Sequence, residues 1–318
     1  MPTSPPRKKR RAPKRVLALP DLEQAKSAVI NSLSSTSGQR TYDHAITEFV
    51  SWYSSEPRLA FNRTVVLRYR IHLEQQHYAP ATINLRLAAV RRVAYEASDA
   101  GLVSPELAAD IRRVKGVRRL GVRMGNWLTP DQGRRLLHYD RPPTFRAVLN
   151  HAMLAMLIGC GLRRGELLAL TLDALQQRED HWVIANLAGK GGHVRTVPVP
   201  SWVKDTVDAW TAAGGLVQGR VFLAINKAGQ VWGNGMTPKV IWALVKASVT
   251  EAHIDKLAPH DLRRTCARLC HQAGGELDQI QFPLGHVSIQ TTERYLGCKQ
   301  ELRVAVNDTL GIEPDRLA

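Results

Sequence analysis

Two short segments near the carboxyl end carry residue types that can act on a phosphate group. The first is Pro259-His260-Asp261-Leu262-Arg263. Proline suits the first turn of a helix, and residues three apart, such as His260 and Arg263, then lie on the same side of that helix. The free N–H groups of a helix start attract an anion, and a planar guanidinium can bind two phosphate oxygens at once. The pair indicates an anion site, although most such pairs are ordinary surface residues.

The second segment places a histidine at a turn and a tyrosine at the end of a short helix. Gly285 predicts the turn, His286 follows it, and Ser288 can cap a helix that reaches Tyr295. A tyrosine hydroxyl can attack phosphorus, but its pKa is about 10, so it needs activation at neutral pH. Because a lone tyrosine in a helix is usually a half-buried core residue, this segment decides nothing by itself.

Both segments belong to a longer, ordered set of motifs. From the amino to the carboxyl side, the set is Gly161-Leu162-Arg163 with Glu166-Leu167, Gly189-Lys190-Gly191, His260-x-x-Arg263, Leu284-Gly285-His286 and Tyr295. Arg263 precedes His286 by 23 positions, and His286 precedes Tyr295 by nine. In order and spacing the set resembles that of the tyrosine recombinase, or phage integrase, family. The resemblance covers roughly residues 35–310, and its first third rests only on a loose pattern of helices.

The resemblance implies a metal-independent enzyme that cuts and rejoins DNA at specific sites. Tyr295 is the implied nucleophile on a backbone phosphorus, which gives a 3′-phosphotyrosine link and a free 5′-hydroxyl. Lys190, on a predicted hairpin turn, is implied to protonate the leaving 5′-oxygen. A covalent intermediate keeps the energy of the broken bond for resealing, so we expect no use of ATP. The sequence also contains no GxxxxGK[ST] loop.

Four further residues are implied to surround the phosphate. Arg163 and Arg263 bind its non-bridging oxygens, while His260 and His286 hydrogen-bond the phosphate and assist proton transfer from the tyrosine. A phosphodiester carries a negative charge that repels nucleophiles, and positioned cations can neutralise it in place of magnesium. The sequence therefore predicts no cofactor and no metal. Glu166, three residues beyond Arg163, is expected to orient a neighbouring side chain.

The sequence departs from the family pattern at Pro283, which lies inside what is usually an unbroken helix end. Proline removes an amide donor and can kink a helix, so we expect the helix to bend early and His286 to shift slightly. Arg164, next to the implied catalytic Arg163, is expected to face solvent or DNA.

The elements that must position these residues are mostly helical. Apolar residues recur at helical spacing over residues 42–53, Asn62 or Thr64 can open a second helix, and Thr82 can cap a third. Farther along, an apolar helix over residues 148–158 precedes a β-hairpin. The hairpin strands are predicted over residues 181–187 and 195–199.

The predicted fold is mainly α with a small β-hairpin or sheet. A helical, SAM-like core-binding domain precedes an α+β catalytic domain of the tyrosine recombinase type. The predicted segments are a disordered basic tail over residues 1–20, a helical DNA-binding domain over 21–118, a basic linker over 119–126 and a catalytic domain over 127–318.

The formal net charge of +16 favours a polyanionic partner, and we expect double-stranded DNA. An acidic membrane surface is less favoured, because no basic amphipathic helix stands out and no apolar run is long enough to span a bilayer. The basic tail also resembles a nuclear localisation signal, although a solvated tail with nonspecific affinity for DNA fits its composition better. The four cysteines, Cys160, Cys266, Cys270 and Cys298, lack zinc-site spacing and are expected to be buried free thiols in a reducing cytoplasm.

The resemblance implies a homo-oligomer, with four protomers on two duplexes, acting in a prokaryotic cytoplasm in association with the nucleoid. Residues 300–310 could form a helix that is donated to a neighbouring protomer, or one that packs on its own domain. Two other functions stay open: a type IB topoisomerase-like relaxation of DNA, and an inactive integrase-like protein that only binds DNA and regulates.

DNA binding by this chain should weaken steeply with salt, because each phosphate contact releases condensed counterions. We expect the dissociation constant for a duplex to rise by roughly 10³-fold or more between 50 and 200 mM salt. Fluorescence anisotropy across that range measures the slope. An affinity that stays flat between low and moderate salt would contradict a charge-driven complex.

Overall fold

The computed structural model describes residues 17–55, 60–118, 126–138, 144–189 and 192–296. The chain divides into two compact units, with the boundary between residues 122 and 123. Most of the predicted tail and linker lies outside the described residues. Leu17 is buried, and the first helix begins at Leu19, so the folded part of the first unit starts slightly before residue 21. The functions assigned to these segments stay predictions.

The first unit is helical in its described residues. Its helices are α1 (Leu19–Asn31), α2 (Thr36–Ser55), α3 (Arg63–Gln75), α4 (Pro80–Asp99) and α5 (Pro105–Arg112). Of the two predicted caps, Asn62 and not Thr64 begins α3, by accepting a hydrogen bond from the backbone N–H of Val65 at 3.1 Å. The predicted cap at Thr82 is wrong. The fourth helix begins at Pro80 instead, because proline fits a first turn in which the N–H has no helical partner.

An aromatic cluster forms the centre of the first unit's core. Phe49 on α2 contacts Tyr53 and Phe61 at a ring-centroid distance of 5.7 Å each, and Tyr69 on α3 at 5.0 Å. Aromatic rings stabilise a core through their large buried area and their tilted or edge-on contacts. The apolar stripe predicted over residues 42–53 therefore packs inward against α3.

The side chain of Asn84 on α4, together with that of Arg91, holds the carboxyl end of the first unit. Asn84 accepts a hydrogen bond from the N–H of Val117 at 2.8 Å and donates one to the carbonyl of Val117 at 3.0 Å. Gly116 approaches so closely that a Cβ at that position would overlap the side-chain oxygen of Asn84. The chain therefore stays attached to the helical unit up to the residues just before the predicted linker.

The second unit carries the remaining elements. Its helices are α6 (Pro130–His138), α7 (Phe145–Gly159), α8 (Arg164–Ala169), α9 (Ser201–Gly214), α10 (Pro238–Glu251), α11 (Pro259–Gln272), α12 (Leu277–Leu284) and α13 (Ile289–Leu296), with a short 3₁₀ turn at Leu172–Ala174. All side chains over residues 152–158 of α7 are buried, so this helix is central to the core. Within the described ranges, no helix combines the length and apolar character that a membrane span requires.

A small antiparallel sheet follows α7 and α8 in the sequence and contains the predicted hairpin. Its strands, in the order β1 (Leu175–Arg178), β2 (His181–Ala188) and β3 (Val194–Val199), pair side by side, and a separate pair joins β4 (Ala224–Ile225) to β5 (Val231–Trp232). The predicted hairpin and the mainly α fold with a small sheet are confirmed. The first strand was not predicted, because its mostly exposed polar residues show no apolar alternation.

The cysteines are only partly buried. Cys160 is buried and Cys266 is partly exposed, whereas Cys270 is exposed, so the expectation of burial is wrong for Cys270. Cys266 and Cys270 lie one turn apart on α11 and so share a face of that helix, near its carboxyl end. Cys298 lies outside the described residues.

Replacing Asn84 with alanine should destabilise the first unit. The change removes both hydrogen bonds to Val117, which costs roughly 1–2 kcal/mol in the free energy of unfolding. Urea denaturation followed by circular dichroism measures the loss. As a control, Gln75→Ala at an exposed position of α3 should change that free energy by less than about 0.5 kcal/mol. Equal stability of the two variants would show that Asn84 does not secure the chain at Val117.

Candidate active site

A buried carboxylate lies at the centre of the candidate site. Glu166, in the first turn of α8, is 6% exposed. The backbone N–H of Arg163 donates to its Oε2 at 2.9 Å, and Nη1 of Arg163 donates to its Oε1 at 2.7 Å. Such a contact across the first turn satisfies an otherwise free N–H of the helix start. Glu166 therefore orients Arg163, whose side chain stays 32% exposed and open to a ligand.

Arg195 holds the same carboxylate from the hairpin. It is the second residue of β3. Its Nη1 and Nη2 donate to Oε1 and Oε2 of Glu166 at 3.1 and 2.8 Å. Its third donor, Nε, binds the carbonyl of Pro283 in α12 at 2.8 Å. This side chain is 9% exposed. One guanidinium thus joins α8, the hairpin and α12.

The arginines keep Glu166 ionised. Burial alone would favour its protonated form, but hydrogen bonds from Arg195 and Arg163 outweigh burial and lower the pKa of Glu166 to about 2. The carboxylate is therefore charged at every pH at which the protein is expected to work. Its negative charge must be counted in the electrostatics of the site.

Arg263 lies beneath the site and not at its surface. Its side chain is 1% exposed, and its Nη1 donates to the carbonyl of Gly161 at 2.6 Å, while Nη2 donates to the carbonyl of Leu284. Nη1 is also 4.0 Å from Oε2 of Glu166. This burial differs from the expectation of a guanidinium open to a phosphate. The residue ties the start of the Arg163 segment to the end of α12.

Two glycines permit this close packing. Gly161 and Gly285 have φ values of 59° and 58°, in the left-handed region that side chains disfavour. A Cβ at Gly285 would lie 2.8 Å from Cδ of Arg195, and one at Gly161 would lie 3.2 Å from Sγ of Cys266. Glycine is therefore required where the motifs Gly-Leu-Arg and Leu-Gly-His approach the buried arginines.

Pro283 does not end helix α12 early, and the expected bend at this residue stays a prediction. The helix α12 includes Pro283 and continues to Leu284 before Gly285 ends it. Proline lacks an amide donor, but its own carbonyl is bound by Arg195. The helix end that carries His286 is therefore held by two arginines, since Arg263 binds the next carbonyl.

Both predicted histidines lie in the field of these cations. Loss of water around the ring, together with the positive charges of Arg263 and Arg264, lowers the pKa of His260. Burial and the charges of Arg263 and Arg163 lower the pKa of His286 to about 4. The same electrostatic contacts show that the structure brings both histidines and both predicted arginines together.

His286 is linked to the helix that carries Tyr295. Its Nδ1 lies 3.0 Å from Oγ1 of Thr292, a fully buried residue of α13. The carbonyl of Leu296, at the end of the same helix, accepts a hydrogen bond from Nη1 of Arg268 at 2.9 Å. The backbone of Tyr295 lies between these two anchored positions, and its side chain is outside the described part of the structure.

Lys190 also lies outside the described residues, but the residue before it does not. A Cβ at Gly189 would lie 3.0 Å from Nη1 of Arg195 and 3.7 Å from Nη1 of Arg163. The N–H of Gly189 also donates to the carbonyl of His193 at 2.8 Å, which closes the base of the turn. The base of the hairpin therefore lies directly against the side chains of Arg195 and Arg163.

A small cleft of about 210 Å³ opens above these residues. Arg163, Arg195 and His286 line it, together with Gly189 and Gly285. Its rim also carries exposed apolar side chains: Val194, Phe282 and Val287. A polar floor with convergent cationic groups suits a compact anion.

Two residues of the site were missed by sequence reasoning. Arg195 falls on the same face of β3 as the buried Val197 and Val199, and a cation on a core-facing position requires a buried anion. That alternation would have identified it. Thr292 gave no comparable signal, because a threonine in a short helix is common at the surface.

Comparison with known proteins gives a family for this arrangement. Residues 126–301 match the model of the phage integrase family, which is more than half of the chain. The chain belongs to the phage integrase family. The tyrosine recombinase XerD of Vibrio cholerae is 27% identical over 273 residues, covering 80% of this chain and 83% of that relative. The tyrosine recombinase XerC of Roseiflexus castenholzii is 29% identical over 243 residues, covering 74% of each chain.

Solved structures share the fold. A XerH site-specific recombinase bound to its difH substrate in a post-cleavage complex has a TM-score of 0.67 at 17% identity, over 88% of this chain and 81% of that one. A lambda integrase dimer bound to a COC′ core site also has a TM-score of 0.67, at 13% identity, over 89% of this chain and 78% of that one. Membership of the family confirms the predicted enzyme class, a tyrosine-type site-specific recombinase.

The ring of His286 should stay neutral at pH values well below those at which a histidine usually becomes protonated. Its pKa of about 4 in the folded protein lies below the ordinary value of about 6.5. The unfolded chain therefore takes up this proton first as the pH falls, and the contribution of His286 to stability is lost between those two values. Histidine ¹⁵N–¹H NMR of the free protein, with His286→Gln to assign the resonance, measures the titration. A midpoint near 6.5 would contradict the positive field at this ring.

Proposed function

We propose that this chain cuts and rejoins DNA at a specific site through a covalent bond between Tyr295 and the 3′-phosphate. The proposal rests on one observation: three guanidiniums, those of Arg163, Arg195 and Arg263, surround Glu166 at the start of α8. The family match and the tyrosine recombinase relatives support site-specific recombination. Tyr295 is assigned as the nucleophile because it follows the other motifs in the order that the family shows.

The proposed reaction exchanges one phosphodiester bond for another. Oη of Tyr295 forms a bond to phosphorus while the bond from phosphorus to the 5′-oxygen breaks. The phenol proton passes to a neutral histidine, and Lys190 supplies a proton to the 5′-oxygen. A 5′-hydroxyl of another strand then reverses these steps and releases the tyrosine. Since bond energy is conserved, the cycle needs no ATP.

The partly exposed Arg163 is proposed to bind the non-bridging oxygens directly. Its guanidinium is preorganised by Glu166, and preorganised donors stabilise the charge that develops in a transition state. We propose that Arg263 contributes its charge from below and reaches an oxygen only after giving up a carbonyl partner. With these cations in place, the chemistry needs no metal ion to neutralise the phosphate.

The histidines are proposed to act as neutral hydrogen-bonding groups. At neutral pH the low pKa of His286 leaves one ring nitrogen as an acceptor. A phosphate in the cleft would raise that pKa again, because an adjacent anion favours the charged form. His260 lies at the start of α11, where backbone N–H groups also favour an anion.

The proposed substrate is double-stranded DNA, consistent with the net charge of +16. We assign core-site binding to the first unit and catalysis to the second. We also propose that two protomers act on each duplex and four in strand exchange, in the bacterial cytoplasm where the chromosome lies. The similar structures described above are DNA complexes, one of them a dimer.

Covalent capture tests the proposed function. Purified chain is incubated with nicked duplexes that carry randomised arms, since the nick lets the short fragment with the freed 5′-hydroxyl diffuse away and so traps the intermediate. We expect a protein–DNA band that survives denaturing electrophoresis and is lost in Tyr295→Phe, because phenylalanine has no attacking oxygen. The matched control Tyr78→Phe, at an exposed position of the first unit, should retain the band.

The recovered DNA separates the alternatives. Strand transfer between two copies of the selected site supports a recombinase, whereas relaxation of a supercoiled plasmid without exchange supports a topoisomerase-like activity. Tight binding without a covalent band at any pH between 6 and 9, roughly the range in which His and Tyr change charge, would contradict the proposed chemistry.

A further inference from the structure

A carboxylate inside a phosphate site raises an electrostatic problem. Glu166 accepts hydrogen bonds from Arg163 and lies 4.0 Å from Arg263, so it attracts both guanidiniums that are proposed to serve the phosphate. It also repels a phosphate directly. In a site this poorly exposed to water, screening is weak and such charges act strongly on one another. Something must offset the carboxylate if the arginines are to stabilise an anion.

Arg195 is placed to do this. Two of its nitrogens bind the two oxygens of Glu166, in the two-pronged geometry that gives the strongest guanidinium–carboxylate pairs. It is less exposed than Arg163, with 9% against 32% of the side chain accessible. Three guanidiniums therefore surround one carboxylate, and two positive charges remain in excess.

We propose that Arg195 is a positioning residue that acts as the internal counter-ion of Glu166 and so leaves the charges of Arg163 and Arg263 available to a phosphate. This inference rests on the proposed function, since it assigns a role within that reaction. Without Arg195 the group would keep only one excess positive charge. Glu166 would then compete with the phosphate for Arg163.

A third contact fixes the direction of the Arg195 side chain. Its Nε donates to the carbonyl of Pro283, and its Cδ is in contact range of Gly285. With Nε held on α12, the outer edge of the guanidinium faces Glu166 and is not free to turn into the cleft. Arg195 is therefore held as a partner of the carboxylate instead of serving as another phosphate ligand.

Charge-neutral DNA provides the test. The covalently selected site is prepared with either a normal scissile phosphate or a methylphosphonate, in which a methyl group replaces one non-bridging oxygen and removes the charge. Single-turnover cleavage is measured for the wild-type chain, Arg195→Met, Arg195→Lys, Glu166→Gln and the double variant Glu166→Gln/Arg195→Met. Thermal melting of each variant monitors folding.

The counter-ion role predicts a defect that depends on substrate charge. Arg195→Met should slow cleavage of the phosphate about 100-fold, but cleavage of the methylphosphonate by less than about threefold. Adding Glu166→Gln should recover at least about tenfold on the phosphate, because the unbalanced negative charge is gone. Arg195→Lys keeps the charge and should keep the ratio of the two rates within about threefold of the wild-type ratio.

Other results would overturn the role. Equal losses on both substrates would indicate a merely structural arginine, as would a double variant no faster than Arg195→Met. If Arg195→Met does not fold, Arg195→Lys decides. A ratio of phosphate to methylphosphonate cleavage rates that differs about 100-fold from the wild-type ratio would contradict the counter-ion role. If the wild-type chain binds but does not cleave, the proposed function fails separately, and the affinities of the same variants for phosphate and methylphosphonate versions of a site selected by binding supply the comparison.

Discussion

The buried ion-pair group around Glu166 is the constraint on which the rest of the site depends. A carboxylate that is 6% exposed is tolerated only when donors satisfy both oxygens, because an unpaired buried charge is costly. Arg163 and Arg195 supply those donors from α8 and β3. Satisfying this one carboxylate therefore fixes the hairpin against the start of α8, which brings the base of the Lys190 turn to Arg163.

A second set of contacts extends this order to the nucleophile's helix. Arg195 and Arg263 bind successive carbonyls at the end of α12, those of Pro283 and Leu284. Helix ends carry such free carbonyls and a partial negative charge, so cations stabilise them. His286 follows directly and contacts Thr292 on α13. The placement of the Tyr295 backbone thus depends on Arg263, which is proposed to serve the phosphate, and on Arg195, which is proposed to balance Glu166.

The local pattern of the sequence was enough to predict much of this arrangement. The Asn62 cap, the buried apolar helix before Gly159 and the hairpin all follow from rules that act over a few residues. The alternation along β3 could have identified Arg195, but its partner could not be predicted, because Glu166 lies 29 positions away. The burial of Arg263 was likewise unpredictable, since it depends on the carbonyls of Gly161 and Leu284, which only the fold brings together.

The central claim is that cations held by Glu166 neutralise a phosphate that Tyr295 attacks. The most direct measurement is a crystal structure of the chain on its selected nicked site with vanadate, which mimics a five-coordinate phosphorus. We expect vanadium bonded to Oη of Tyr295, Arg163 donating to its equatorial oxygens, and Arg195 still paired with Glu166. Vanadate bound away from Tyr295, or Arg195 turned from Glu166 onto the vanadate, would contradict it.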